Sequence, residues 1–103
     1  MKEMNQTEWV EGRILRKLRT ENAFSRGHRL EETIVSCLPR HLRGEGKRVL
    51  RDLISRGLVI VYGKTLRGFA YQLNSDRIGE IDASINKLTS LADKGEGLNK
   101  TEV

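Results

Sequence analysis

The sequence predicts an α+β domain with a three-helix core, a two-stranded hairpin after the third helix and an additional C-terminal helix. Two observations carry this prediction. Apolar residues recur at helical spacing on both sides of two short segments, residues 58–62 and 69–73, which have the composition of strands. The chain has 103 residues, enough for one hydrophobic core and little more, so we expect one folded domain over residues 1–75 followed by the last helix.

The first helix is expected to begin after Asn5, which stands three residues before Glu8 as in a capping box, with Asn in the Ser/Thr place. Its apolar stripe has one residue at every fourth position: Val10, Ile14 and Leu18. This spacing predicts an amphipathic helix of about four turns that ends near residue 21.

The second helix is expected over residues 30–38, after a connection around Gly27 to which a very short strand could belong. Pro39 ends this helix, because the residue before a proline disfavours the helical conformation. Residues 39–46 (PRHLRGEG) contain two glycines and are predicted to form a long turn.

The third helix, predicted over residues 45–56, has the clearest pattern, with an apolar arc opposite a basic one. The apolar arc consists of Val49, Leu50, Leu53 and Ile54. The opposite arc carries Arg48, Arg51, Asp52 and Ser55, with Lys47 at its edge. Gly57 follows at the position where a left-handed residue often ends a helix.

The hairpin is predicted from two strands, residues 58–62 and 69–73, joined by a six-residue link over residues 63–68. The alternating residues of the second strand are expected to pack on the helices: Phe69, Tyr71 and Leu73. The link holds Lys64, Thr65 and Arg67, so the sequence predicts a hairpin with a basic tip.

The last helix is expected over residues 76–92, capped by Asn74 or Ser75, with residues 93–103 as a flexible tail. Its apolar positions form a heptad seam of about two repeats: Ile78, Ile81, Ile85 and Leu88. The seam indicates a homodimer formed by pairing with a second chain. The alternative, which the sequence leaves open, is that the same residues pack on the domain's own core.

The positive charge is concentrated in one part of the chain. The whole chain has a net charge of +5, and residues 40–67 alone hold eight Lys and Arg against two acidic residues. A basic block inside a folded unit favours a polyanionic partner such as nucleic acid. A solvated surface around a core-forming helix and hairpin is the alternative interpretation.

The segment KRVLRDLISRGLVIVY, with FAYQLN after it, resembles a winged helix-turn-helix domain. The resemblance rests on a third helix ending in L-x-x-L-I-x-x-G-L-V and followed at once by a two-stranded wing, and it covers roughly residues 6–75. The chain also resembles small uncharacterised archaeal winged-helix proteins, a comparison that assigns no function. The turn over residues 39–46 is wider than the usual turn of the family.

The resemblance implies a DNA-binding domain of the kind found in dimeric transcriptional regulators, with helix 45–56 in the major groove and wing 63–68 on the backbone beside it. Clustered Lys and Arg supply affinity by neutralising phosphates, and an Arg side chain can fork onto guanine. The residues expected to contact double-stranded DNA are Arg40, Arg43, Lys47, Arg48, Arg51, Ser55, Lys64, Thr65 and Arg67.

A second class of function stays open: a winged-helix module that binds protein or RNA within a larger nucleoprotein assembly. Catalysis is not expected, because no pair of catalytic carboxylates is evident. A metal site is not expected either, since His28, Cys37 and His41 lack the paired spacing of zinc ligands, and no cofactor motif is present.

The expected compartment is the cytoplasm. The single cysteine fits a reducing environment, and the N-terminal residues lack the apolar region of a secretory signal. No apolar run approaches the roughly 18 residues that a membrane span needs, so no membrane association is expected.

Overall fold

The structure, a computed structural model, describes residues 5–23 and 27–95. Within these ranges the chain is an α+β fold with four α-helices and a three-stranded antiparallel sheet, which confirms the predicted fold class at that level. The helices are α1 (Gln6–Thr20), α2 (Glu31–Val35), α3 (Arg43–Ser55) and α4 (Ile78–Gly95). The strands are β1 (Arg29–Leu30), β2 (Val59–Thr65) and β3 (Gly68–Leu73).

The start of α1 is fixed by the capping box that the sequence predicts. The backbone N–H of Glu8 donates to Asn5 Oδ1 at 2.8 Å, and the backbone N–H of Asn5 donates to Glu8 Oε1 at 3.2 Å. The apolar stripe of the helix, Val10, Ile14 and Leu18, is fully buried. Both the cap and the periodicity of this helix are therefore confirmed.

The boundaries of α2 and α3 differ from the prediction. The second helix spans only Glu31–Val35, and α3 begins at Arg43 rather than at residue 45. A 3-10 turn over Arg40–Leu42 leads directly into α3, so the predicted long turn over residues 39–46 is wrong in its second half. The two glycines that suggested a turn lie inside the helix.

Position 46 inside α3 needs a glycine, because the helix passes very close there to α2 and to the segment after α2. A Cβ at this position would overlap Leu38 Cδ1 and lie 3.3 Å from Val35 Cγ1, and both of these side chains are buried in the core. A Cβ at Gly44 would have no neighbouring heavy atom within 4 Å. Gly46 therefore serves packing between helices, whereas Gly44 has no such role.

This contrast predicts opposite effects for two alanine substitutions in one helix. Gly44→Ala is expected to stabilise the domain by up to about 1 kcal/mol, because alanine favours a helix over glycine. Gly46→Ala gains the same propensity but overpacks the contact with Leu38, at a cost of about 1–3 kcal/mol. Urea unfolding followed by circular dichroism compares the two variants, and equal changes in both would contradict this account of Gly46.

The sheet has the strand order β1-β3-β2, with both neighbouring pairs antiparallel. The predicted hairpin is present, but its six-residue link over residues 63–68 is wrong. Gly63, Lys64 and Thr65 belong to β2 and pair with Ala70, Phe69 and Gly68, so only Leu66 and Arg67 form the turn. The glycine that suggested a loop, Gly63, lies in the strand directly after a β-bulge, where the register shifts between Val61 and Gly63.

The core lies between α1, the buried faces of α2 and α3, and the inner face of the hairpin. On β3, Tyr71 and Leu73 are buried as predicted, whereas the ring of Phe69 is 49% exposed, so the prediction that all three pack on the helices is wrong for Phe69. All three lie on one face of the strand, but Phe69 is at the end of the hairpin, next to the turn.

The last helix packs against α1. The two helices lie close together at Gly12, where a Cβ would lie 3.2 Å from Leu88 Cβ. Ile81 is fully buried and Leu88 is 5% exposed, while Ile78 and Ile85 are partly buried against the same core. The seam therefore packs on the domain's own core, the alternative that the sequence left open, and dimerisation stays a prediction.

The N-terminal side of α4 is fixed by Asn74, whose side chain accepts from the backbone N–H of Asp76, ahead of a 3-10 turn over Ser75–Arg77. The helix runs to Gly95, past the predicted end at residue 92. The rest of the predicted tail, residues 96–103, lies outside the described residues. None of the described helices is both long and apolar enough to cross a membrane.

Candidate nucleic-acid interface

The exposed face of α3 carries the cations that the sequence placed there. Lys47, Arg48, Arg51 and Ser55 are all exposed, and Val49, Leu50 and Leu53 on the opposite arc are buried. Arg40 and Arg43, at the beginning of the helix, are exposed as well. The helix therefore presents its basic arc to solvent because its apolar arc is held in the core.

Arg48 already has a carboxylate partner. Its Nη2 lies 2.6 Å from Glu45 Oε2, which also accepts from the Thr7 hydroxyl at 3.1 Å. The hydrogen bond that Arg48 donates to Glu45 is the main cause that raises the pKa of Arg48 and lowers the pKa of Glu45. The side chain of Arg48 is still 65% exposed, but its charge is partly neutralised before any ligand arrives.

Arg43 and Arg51 keep their charge available. Arg43 Nε donates to the backbone carbonyl of Leu38 at 3.2 Å, and Arg51 Nη1 lies 3.5 Å from the carbonyl of Lys47. Each contact uses one of the five N–H donors of a guanidinium and involves no carboxylate. Within residues 5–23 and 27–95, no carboxylate forms an ion pair with Arg40, Arg43, Lys47 or Arg51.

The hairpin turn presents Arg67, held in place by Thr65. The Thr65 hydroxyl donates to the carbonyl of Gly68 at 2.7 Å and accepts from the backbone N–H of Arg67 at 3.1 Å. Thr65 is partly buried in β2 rather than at a loop tip, so its role is to shape the turn. Lys64 is exposed and lies across from Phe69, with Nζ 5.9 Å from the ring centroid.

The two elements meet in one cleft. Lys47 of α3 and Arg67 of the hairpin turn both line an open cleft of about 290 Å³, which we call the Phe69 cleft. Its remaining lining residues are Glu31, Glu32, Gly68 and Phe69. The structure thus brings the helix and the hairpin turn to a single surface, where the sequence predicted two separate contact elements.

Two acidic side chains at the start of α2 reduce the positive potential of this cleft. Glu31 Oε1 accepts from the Tyr71 hydroxyl at 3.2 Å, and Glu32 is exposed. Burial is the main cause that raises the pKa of Tyr71, so the phenol is held as a donor to Glu31. The carboxylates can accept hydrogen bonds from a ligand but would repel a phosphate at the same place.

Arg56 is a basic residue of this region whose charge is neutralised by ion pairs within the domain. Its guanidinium lies 3.1 Å from Glu11 of α1 and 3.1 Å from Asp52 of α3. The hydrogen bond with Glu11 is the main cause that raises the pKa of Arg56. Asp52 pairs with Arg56, and it forms no ion pair with Arg48 or Arg51 in the described chain.

A second basic cleft, of about 310 Å³, lies on α1 and contains none of the predicted DNA-contacting residues. Arg16 is exposed there, whereas Lys17 pairs with Glu21 at 2.8 Å and Arg13 Nη2 donates to the Cys37 carbonyl at 3.4 Å. Because Arg16 is an exposed cation in a cleft that contains no residue of α3 or the hairpin, it is a suitable control position for the α3 surface.

The described residues give little support for metal or thiol chemistry. They contain no group of three or more His, Cys, Asp or Glu that could hold a metal ion. Burial is the main cause that raises the pKa of the Cys37 thiol, whereas a nucleophilic cysteine needs a lowered pKa.

Comparisons with models of protein families, with curated proteins and with solved structures find no match to this chain. The chemistry of the exposed residues on α3 and the hairpin is therefore the ground for a functional proposal. Phe69 is the member of this surface that the sequence did not indicate, because its alternation with Tyr71 and Leu73 placed it in the core. The signal in the sequence that favours a solvent-exposed position for Phe69 is the presence of Lys64 and Arg67 within the five residues before it.

Proposed function

We propose that this domain is a winged helix-turn-helix that binds double-stranded DNA and acts as a transcriptional regulator. The exposed arc of α3 enters the major groove, and the hairpin, as the wing, contacts the backbone beside it. The observation that carries the proposal is the shared Phe69 cleft, where Lys47 from α3 and Arg67 from the hairpin turn face the same space. Cations from two elements on one side of the domain fit an extended polyanion better than a small ligand.

The residues divide by the chemistry that each can offer. Arg40, Arg43 and Lys47 lie just before α3 and in its first turns, and their exposed side chains are placed for phosphates. Arg51 lies further along the exposed arc and has the fork that guanine accepts in the major groove. Arg48 would have to exchange Glu45 for a phosphate or a base, so its contribution is smaller.

A salt titration tests DNA binding itself. Fluorescence anisotropy of a labelled mixed-sequence duplex is measured against protein at several salt concentrations. Four or five phosphate contacts predict that log K falls with log [salt] at a slope of about −4. An absence of binding even at low salt would contradict the proposal, and a flat salt dependence would mean that the cations do not face phosphates.

A specific feature of the hairpin favours a second candidate function, protein binding. Its exposed large apolar side chains are Ile60, Val61, Tyr62, Leu66 and Phe69, and β2 is an edge strand of the sheet. Exposed apolar residues along an unpaired strand edge are typical of surfaces that another chain covers. A protein-interaction or RNA-interaction module is therefore the alternative, and it predicts weak, non-specific binding of duplex DNA in the same titration.

A further inference from the structure

Phe69 is exposed although it lies on the face of β3 that packs on the core further along the strand. The ring lies on the same face of β3 as the buried Tyr71 and Leu73, yet it is 49% exposed at the end of the hairpin. Single exposed apolar residues are common and need no explanation on their own. What distinguishes Phe69 is its surroundings, which are cationic on more than one side.

One basic side chain lies over the ring, and two more line the same cleft. Lys64 pairs with Phe69 across the two strands, and its ammonium lies 5.9 Å from the ring centroid. Lys47 and Arg67 line the same cleft as Phe69. An aromatic face flanked by cations is the arrangement with which proteins hold single-stranded nucleic acid, since a base stacks on the ring while neighbouring phosphates meet the cations.

The acidic side of the cleft limits what can enter it. Glu31 and Glu32 would repel a phosphate, but their oxygens accept hydrogen bonds from amino groups on a base edge. Glu31 uses Oε1 for the Tyr71 hydroxyl, which leaves Oε2 for a ligand. In a continuous duplex the faces of the bases are stacked on their neighbours, so only an unpaired base can offer a face to the ring of Phe69 together with an amino group to the carboxylates.

We propose that the Phe69 cleft receives one unpaired base bearing an amino group on its Watson–Crick edge, with the ring of Phe69 as the stacking platform. The preferred ligand is then a duplex that continues into a single strand, and cytosine, adenine or guanine is preferred over thymine at the unpaired position. This inference rests on the proposed binding of DNA and names the form of DNA that the site prefers. The cleft is open and has a volume of about 290 Å³, just below the usual range of small-molecule pockets, which suits a ligand no larger than one flat base.

The test compares a continuous duplex with the same duplex carrying a short single-stranded extension of cytosines or of thymines, by fluorescence anisotropy at one salt concentration. The cytosine extension is expected to raise affinity about tenfold, as stacking of a base on an aromatic ring does, and the thymine extension clearly less. Phe69→Leu is expected to remove the gain, measured as the ratio of the affinities for extended and continuous duplex in the same variant, and Phe69→Tyr keeps it as the matched control.

The outcomes separate the two proposals. Duplex binding with a steep salt dependence but equal affinity for all three DNAs would overturn the inference about Phe69 and leave the proposed function standing. An equal loss on duplex and on extended DNA in Phe69→Leu would also overturn it, because the ring would then contact the duplex. No binding of any DNA would overturn both. Thermal unfolding of both variants checks that the exposed position tolerates the changes.

Discussion

Replacing Lys47 and Arg51 together with alanine is expected to lower affinity for duplex DNA by more than about tenfold at moderate salt. Removing the Lys47 contact with a phosphate should weaken binding to all sequences alike and reduce the salt slope by about 0.9. Arg51→Ala should cost about 1–3 kcal/mol on the preferred sequence and relax the choice of base at one position. Neither side chain has an ion pair within the described ranges, so no fold contact of this kind is lost with them.

The matched control for the single variants is Arg16→Ala. Arg16 is an exposed cation that lines the cleft on α1, away from α3 and the hairpin. Its removal changes the net charge of the protein by the same amount as Lys47→Ala, so it measures the effect of charge alone. An equal loss of affinity in both variants would mean that DNA senses only the net charge and that the α3 surface has no special role.

The second large effect concerns stability. Ile81→Ala is expected to lower the free energy of unfolding by about 2–5 kcal/mol, because the side chain is fully buried against the core that α1 helps to form. Asn86→Ala, at an exposed position of the same helix, is the control and should change stability by less than about 0.5 kcal/mol. Urea unfolding of the three proteins gives both values.

The same experiment separates internal packing from a dimer seam. If Ile81 acts within one chain, the loss in Ile81→Ala is the same at low and at high protein concentration. A stability that rises with concentration in the wild type, and less so in Ile81→Ala, would instead indicate that this helix pairs with a second chain. A dimer would then require α4 to leave the position against α1 that the structure shows.

The fold was predictable where one pattern dominates a segment. The four-residue spacing of α1, the two arcs of α3 and the β-branched composition of β2 each require a particular element, and all three are present. The boundaries were less predictable because glycine has more than one use. Gly46 serves a close helix contact and Gly63 follows a bulge, and neither use can be distinguished from a loop by sequence alone.

The residue types of the candidate site were predictable from the sequence, but the ion pairs that these residues form within the domain were not. The sequence shows that α3 has a basic arc, yet it does not show that Arg48 is paired with Glu45 while Arg51 is not. Arg56 pairs with Glu11, which is 45 residues away in the chain, so only the folded structure removes it from the cations available to a ligand. The exposure of Phe69 depends on how the end of the hairpin is placed against the helices, which no local pattern encodes.

The most direct test of the central claim is a map of the residues that contact duplex DNA, obtained from backbone amide NMR shifts of labelled protein during a titration. The proposal predicts that the amides of Arg43–Ser55 and of residues 65–68 shift together, while those around Arg16 on α1 and along α4 stay in place. Shifts confined to the α1 cleft, or to the β2 edge at Ile60 and Val61 with α3 unaffected, would contradict it.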